Sequence, residues 1–164
     1  MALRKILTDQ DPALHKKCRP VTKFDQRLEE LLDDLKETLA HANGAGLAAP
    51  QVGILRRCVI VVDESGEMLE LVNPEIIWRS EEIQDGWEGC LSVPGKWGEV
   101  ERPARVQVRA QNRKGESFEV EGEGIVARCF CHELDHLEGR VFTELTDRLY
   151  TQQELDRLSE EDHT

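Results

Sequence analysis

The stretch 125–137, IVARCFCHELDHL, combines helical spacing of its apolar residues with the motif HELDH at positions 132–136. On a helix, His132 and His136 share a face and lie about 6 Å apart along the axis. Two imidazoles placed in this way can hold one divalent ion. Glu133 lies to the side of that face, where its carboxylate would reach a water molecule on the ion without being a third ligand. The motif therefore predicts a metal-activated water with a carboxylate base, and two surface histidines beside a solvated glutamate are the alternative interpretation.

A metal site of this kind needs a third protein ligand. Cys129 and His136 are separated by about 10.5 Å of helix rise, whereas ligands around one ion lie about 3–4 Å from one another. We therefore expect Cys129 to pack beside the site and the third ligand to come from outside the helix. Cys90 is a candidate because the glycine before it lets backbone amides approach a bound ligand closely, and a buried loop cysteine is the equally good alternative. For the other histidines and cysteines we expect surface positions or structural roles: His15, His41, His163, Cys18, Cys58 and Cys131.

The length and composition limit the class of protein. The chain has 164 residues, a mass of 18.7 kDa and a net charge of −12, which fits one domain over residues 1–164. The acidic balance argues against a DNA or RNA binder, whose affinity depends on neutralising phosphates. No apolar run approaches the length of a membrane span, and the first residues do not resemble a signal peptide. The cysteines are scattered and form no CxxC pair, so we expect a cytoplasmic protein with neither DNA nor a membrane as partner.

Apolar periodicity elsewhere predicts further helices and short strands. A stripe of leucines indicates a buried helix face, and Asn43 with Gly44 supplies a left-handed stop after it. Pro74 is expected to close one of the strands. The predicted elements are a helix over 24–42, strands over 57–63 and 68–73, a hairpin with strands near 106–110 and 118–120, and a last helix over 152–158. Helices interspersed with short strands and a hairpin indicate an α+β fold.

Three separated motifs resemble those of the peptide deformylases. They are GAGLAAPQ at 44–51, EGCLS at 88–92 and HELDH at 132–136, and their order and spacing match the family. Peptide deformylases are metal-dependent hydrolases that remove the formyl group from the N-terminal formyl-methionine of newly made proteins and release formate. The resemblance implies a single α+β domain with mixed or antiparallel sheets packed around a central helix that carries the HExxH motif.

The resemblance also implies a role for each residue that matches a family motif. The metal ligands would be Cys90, His132 and His136. Glu133 would be the catalytic acid and base, and the side-chain amide of Gln51 and the backbone N–H of Leu91 would bind the developing oxyanion. The substrate would be bound, and its methionine pocket lined, by Gly44, Ala45, Gly46, Glu88, Gly89, Ile125 and Cys129.

The cofactor and partners follow from the same resemblance. The family's metal is typically Fe²⁺, which is easily lost or replaced by Ni²⁺, Co²⁺ or Zn²⁺. A metal-activated water would attack the formyl carbonyl while Glu133 takes its proton and later returns it to the leaving amine. The partners would be formyl-methionyl nascent peptides and, as a weaker expectation, the ribosome, because the short acidic C-terminus argues against docking through a basic helix there.

Two other functional classes share part of the pattern. One is a zinc peptidase with the motif HExxHxxGxxH, for which Gly139 matches but Phe142 stands in place of the third histidine. Peptidases that use a downstream glutamate would need Glu154 or Glu160, which have no local support. The other class is a binding module that captures N-terminal peptides without hydrolysis, and the presence of Glu133 argues against it.

Overall fold

The computed structural model describes residues 2–162, so His163 lies outside the described residues. The helices are α1 (Gln26–Ala42), α2 (Ile125–Leu137) and α3 (Gln152–Asp162). The strands are β1 (Gly46–Ala48), β2 (Cys58–Val62), β3 (Met68–Arg79), β4 (Ile83–Gln84), β5 (Trp87–Cys90), β6 (Val93–Glu99), β7 (Arg102–Pro103), β8 (Arg105–Gln111), β9 (Ser117–Glu123) and β10 (Leu149–Thr151). Short 3-10 helices cover Pro12–His15, Ala49–Val52 and Phe142–Leu145. The predicted α+β class is confirmed.

Strand β2 lies inside a five-stranded antiparallel sheet with the order β1-β2-β3-β8-β9. Alternate residues of a strand point to opposite faces. Cys58 and Ile60 pack with the leucines of α1, whereas Val59 and Val61 pack with α2. Because one helix covers each face, β2 is apolar throughout, and the prediction of a buried strand is confirmed.

Helix α1 begins and ends at residues that cap it. The Asp25 carboxylate accepts a hydrogen bond from the Leu28 N–H at 3.1 Å, which pairs one of the amides left without a partner in the first turn. Asn43 adopts a left-handed conformation with φ 55° directly after the helix. The prediction of a helix over 24–42 with its stop at Asn43 is therefore confirmed, with a start two residues later.

Strand β3 runs through Pro74, so the prediction that this strand closes at Pro74 is wrong. Asn73 adopts a positive φ of 51°, and the register with β8 shifts between Val72 and Glu75. Such an irregularity accommodates a residue that has no N–H to donate. The Asn73 side chain holds the bend by exchanging hydrogen bonds with the backbone of Val21, at 2.7 and 2.9 Å.

A second sheet, with the order β10-β6-β5, was not predicted. Strands β5 and β6 form an antiparallel hairpin whose register shifts between Gly89 and Cys90. Cys90 pairs with Val93, so Leu91 and Ser92 form the tight turn between the strands. This turn places Cys90 at the very end of β5. Strands β4 and β7 form a third, two-stranded sheet, and the ladders of all three sheets are antiparallel in the part of the chain that is described.

Helix α2 is buried along nearly its whole length between the sheet and the β5–β6 hairpin, as a central helix should be. It covers the predicted residues 125–137. Helix α3 continues four residues beyond the predicted end at 158 and packs on β10. Among residues 2–162, no helix is both long enough and apolar enough to cross a membrane.

Candidate metal centre and active site

Three side chains that can ligate a metal converge where α2 meets the end of β5. The ligand atoms of Cys90, His132 and His136 all lie within 4.8 Å of one another, and the Cys90 Sγ is 3.4 Å from the His136 Nε2. The two imidazole rings meet edge to face, with centroids 5.0 Å apart. One thiolate sulfur and two imidazole nitrogens are a donor set that suits a divalent transition metal such as iron, nickel or zinc. The three residues therefore fit one ion, and sequence reasoning had singled out all three.

The orientation of His132 is fixed from behind by Glu88. The His132 Nδ1 lies 2.7 Å from the Glu88 Oε1, which leaves the Nε2 atom for the side that faces Cys90. A carboxylate on the far nitrogen is the usual device for orienting a metal-bound histidine and raising its basicity. Glu88 lies on β5, two residues before Cys90, so a single strand positions one candidate ligand and the support of another.

The Glu88 carboxylate is itself saturated with cationic partners. Arg102 donates to both of its oxygens at 2.8 Å and also holds Asp135 at 2.7 Å. Although burial opposes ionisation, the hydrogen bonds from Arg102 and His132 lower the pKa of Glu88 to about 2. The Glu88 carboxylate is fully engaged in this ion network, and the expectation that Glu88 contacts substrate stays a prediction.

Glu133 is buried in the site, with 3% of its surface exposed. Within the described residues its Oε1 atom has no hydrogen-bond partner. Burial raises the pKa of Glu133 to about 7, in the range that suits a group that both takes and gives a proton near neutral pH. Its carboxylate is therefore free to serve a substrate or a water molecule.

The backbone of Gly46 on β1 forms one side of this space. It can lie this close to Glu133 because glycine has no side chain. A Cβ atom at this position would lie 2.6 Å from the Glu133 Oε2 and 2.7 Å from the Cys129 Sγ. Cys129 itself donates to the Ala45 carbonyl at 3.4 Å and is not one of the three converging residues. The expectation that Cys129 packs beside the site is confirmed.

Gln51 is held rigidly by both ends of its amide. Its Oε1 accepts from the Ala48 N–H at 2.9 Å, and its Nε2 donates to the Ser92 Oγ at 3.0 Å. The same Nε2 is 3.5 Å from the Cys90 Sγ, so a donor is poised next to the candidate ligands. Sequence reasoning missed Ser92, although it directly follows Leu91 in the motif EGCLS.

Phe142 occupies the position of the third histidine in the peptidase motif, and the structure gives it another task. Its buried ring lies against the His132 imidazole, with centroids 5.9 Å apart. Cys90 fills the place of a third donor from a different direction. The arrangement is therefore unlike the zinc peptidases whose three histidines come from one sequence motif.

Comparison with known proteins agrees with this geometry. Residues 3–152 match the family model described as polypeptide deformylase. The chain belongs to this family. A peptide deformylase of Caldicellulosiruptor bescii is 54% identical over 157 residues, which cover 96% of this chain and 93% of that protein.

Crystal structures of two other peptide deformylases have the same fold. The one from Thermotoga maritima has a TM-score of 0.86 and 40% identity, covering 90% of this chain and 100% of that one. The one from Legionella pneumophila has a TM-score of 0.84 and 37% identity, covering 99% and 98%. Peptide deformylases remove N-terminal formyl groups from nascent proteins, so the activity of this chain is that of a hydrolase.

The deformylase site opens into a cleft of about 480 Å³. Glu133 and His132 lie on its floor, and Trp87 and Trp97 lie along its rim. Ile125 is 78% exposed at the mouth, so it is not a residue of the hydrophobic core. The residues expected to bind substrate or oxyanion all line this cleft: Gly44, Ala45, Gly46, Gln51, Glu88, Gly89, Leu91, Ile125 and Cys129.

Four cysteines of the deformylase differ from Cys90. Burial raises the pKa of each thiol, so these side chains remain protonated near neutral pH: Cys18, Cys58, Cys129 and Cys131. A metal binds the thiolate, not the thiol. Cys90 lies at the end of β5 beside the two imidazoles, and within residues 2–162 it is the one cysteine of the candidate centre.

Sequence reasoning also missed two arginines of the deformylase site. Arg128 stands one helical turn before His132, and a cation inside the otherwise apolar run IVARCFC was a usable signal. Arg102 had no such signal, because it meets Glu88 only when β7 and β5 are brought together in the fold.

Proposed function

We propose that Cys90, His132 and His136 hold the metal of this deformylase and that Glu133 moves the proton of the reaction. The observation that carries the proposal is the convergence of three donors next to a buried carboxylate that lines the cleft and whose Oε1 atom has no hydrogen-bond partner among the described residues. When bound, the metal supplies Lewis acidity and lowers the pKa of water. The other steps belong to side chains and backbone groups of this chain.

Glu133 acts first as base and then as acid. Its Oε1 atom accepts a proton from the water that attacks the formyl carbonyl carbon. The carboxyl group then donates that proton to the nitrogen of the methionine residue as the C–N bond breaks. Formate leaves with the original formyl oxygen and the oxygen of the attacking water. A pKa near 7 lets one residue perform both transfers at neutral pH.

The charge that develops on the formyl oxygen is met by two donors. Gln51 offers its Nε2 from a fixed position, because Ala48 and Ser92 hold both ends of its amide. The backbone N–H of Leu91 offers the second donor from the turn after Cys90. Prealigned donors of this kind are worth about 10²–10³ in rate each.

The methionine side chain occupies the cleft between the Gly44–Gly46 segment and α2. Ala45 and Cys129 present small apolar surfaces there, and Ile125 covers the mouth. Gly44, Gly46 and Gly89 leave the backbone open to hydrogen bonds with the peptide. Glu88 contributes through its place in the strand, not through its carboxylate.

The decisive experiment is formate release from a formyl-Met peptide by protein purified without air in the presence of Fe²⁺. We expect rapid release that a chelator abolishes and that added metal restores. The unformylated peptide is the control, and its cleavage would indicate a peptidase instead. Absence of formate from folded, metal-loaded protein would overturn the proposal and favour a binding scaffold.

We further propose Fe²⁺ as the working ion, because iron is the typical metal of the family and a thiolate and two imidazoles accommodate it. Oxidation of iron or of Cys90 would then inactivate the enzyme in air. The half-life of activity should be much shorter in air than under nitrogen, and replacement by Ni²⁺ should lengthen it. Equal half-lives of the Fe²⁺ enzyme in both atmospheres would argue against iron.

The remaining expectations complete the proposal. Residues 1–164 form one catalytic domain that works in the cytoplasm on formyl-methionyl nascent peptides. Direct contact with the ribosome stays a prediction, and co-sedimentation of the protein with ribosomes tests it.

A further inference from the structure

Arg128 is a buried cation that the proposed reaction does not use. It lies on α2, one turn before His132, and is 8% exposed. Its Nη1 donates to the Glu88 Oε2 at 2.7 Å and to the Val100 carbonyl at 2.8 Å. A buried guanidinium is retained at a cost unless its hydrogen bonds are satisfied, so this pair of short bonds fixes its place.

The Glu88 carboxylate connects Arg128 to His132. One oxygen of Glu88 receives Arg128 and the other contacts the His132 Nδ1 at 2.7 Å. Only two hydrogen bonds therefore separate the guanidinium from the imidazole. Loss of the Arg128 hydrogen bond would leave Arg102 as the one arginine that holds Glu88, and the carboxylate that orients the histidine would be less firmly fixed.

The Arg128 side chain lines the substrate cleft together with Ile125 and Cys129, its neighbours on the same helix. Its Nη2 lies beside Gly86, where a Cβ atom would approach it to 2.8 Å. The only protein acceptor near Nη2 is the Gln84 carbonyl at 3.5 Å, among the described residues, so this end is the less firmly held one.

We propose that Arg128 is a positioning residue that couples the substrate cleft to the metal ligand His132 through Glu88. The inference rests on the proposed role of His132 as a ligand. A substrate side chain that contacts Arg128 in the cleft would thereby change the position of the His132 imidazole. The geometry of the metal centre and the filling of the cleft are therefore linked through one side chain.

The test compares Arg128→Met, Arg128→Lys and a control, Arg109→Met, which removes an exposed arginine on β8. The probe is Co²⁺, whose affinity is measured by competition with a coloured chelator and whose absorption spectrum reports ligand geometry. We expect Arg128→Met to weaken Co²⁺ binding about tenfold and to change the spectrum, as loss of an outer partner of a ligand does. Arg109→Met should change neither.

Arg128→Lys tests separately the effect of Arg128 on the metal centre and its effect on substrate binding. An ammonium group can replace the Nη1 bonds to Glu88 and Val100 but has no second nitrogen to place beside Gly86. We expect Co²⁺ affinity within about threefold of the wild type, with a raised KM for formyl-Met peptide and a smaller change in kcat. The inference would be overturned if Arg128→Met bound Co²⁺ with an affinity within twofold of the wild type and gave an unchanged absorption spectrum.

Gly86→Ala keeps the inference testable if Arg128→Met does not fold. The added methyl group displaces the flexible end of Arg128 without removing its charge. A changed Co²⁺ spectrum supports the coupling, and an unchanged spectrum with an unchanged KM contradicts it. Because Co²⁺ binding does not depend on turnover, failure of this inference is distinguishable from failure of the wild type to release formate.

Discussion

Helices α1 and α2 lie on opposite faces of the five-stranded sheet, and the side chains that they bury differ in kind. The buried face of α1 is mainly a row of leucines, from Leu28 to Leu39, packed on β2. Its two buried polar residues, Asp34 and Thr38, accept hydrogen bonds from the N-terminal backbone and lie outside the site. Helix α2 also buries apolar residues, but among them it buries Arg128, His132 and Glu133. The leucines stabilise the fold through the hydrophobic effect, whereas the polar groups of α2 reduce that gain and are retained for the site.

Each helix is also associated with one glutamate on a neighbouring strand. Glu70 of β3 pairs with Lys36 of α1 and with Arg113 at the edge of the sheet. Glu88 of β5 pairs with Arg102 and Arg128 deep inside. We call the ion pairs of Glu70 the outer network and those of Glu88 the inner network. The outer network links elements that hydrophobic contacts already hold together. The inner network instead fixes the orientation of a candidate metal ligand.

The largest effect is expected for Glu133→Gln on α2. This change removes the group that moves the proton, so kcat should fall by about 10²–10⁴ while bound metal stays at the wild-type level. Steady-state kinetics together with metal analysis checks both parts. Glu29→Gln on the exposed face of α1 is the matched control and should leave kcat unchanged. Near-normal turnover of Glu133→Gln would exclude the proposed role.

Leu35→Ala tests the opposite side of the comparison. Leu35 is fully buried against the sheet, so its truncation should lower the free energy of unfolding by about 2–5 kcal/mol. Urea denaturation measures the loss, and kcat per folded molecule should stay near the wild-type value. A large fall in kcat with little loss of stability would mean that α1 also contributes to the site.

Glu88→Gln and Glu70→Gln compare the two networks directly. Glu88→Gln removes the charge that holds His132, and metal affinity should fall about 10- to 100-fold. Glu70→Gln should leave metal affinity unchanged, because no ligand depends on it. Competition with a chelator measures both variants, and equal affinities would show that the inner network does not position the ligand.

The smallest effect is the pH dependence of the outer network. Burial opposes ionisation of Glu70, but hydrogen bonds from Arg113 and Lys36 outweigh it and lower its pKa. A carboxyl whose pKa is lowered by folding stabilises the protein above its unfolded pKa of about 4.3, and this contribution is lost as the pH falls further. The free energy of unfolding of the wild type should therefore exceed that of Glu70→Gln by about 1 kcal/mol at neutral pH and by less near pH 3. Urea denaturation at both pH values measures the difference, and a constant difference would contradict this origin.

Local patterns identified the three α-helices and four of the ten strands in residues 2–162. The leucine stripe of α1, the hairpin of β8 and β9, and α2 with its histidines were predicted because each depends on spacing within one segment. The path of β3 was not, because Pro74 is tolerated at a bulge that only its partner strand β8 reveals. The sheet formed by β10, β6 and β5 was missed because β10 and β5 have only three and four residues, and because β6 contains a proline and two glycines and shows little apolar alternation.

The sequence by itself determined the chemistry of this protein, since HELDH on a helix and a cysteine in EGCLS supply the donor types and the base. Only the tertiary structure decided which distant groups support them. Glu88 meets Arg102 and Arg128 across separations of 14 and 40 residues. Such contacts leave no periodic trace in the chain, because charged side chains pair wherever folding removes them from water together. The metal-ligating side chains can therefore be identified from the motifs, whereas their orientation depends on the packed fold.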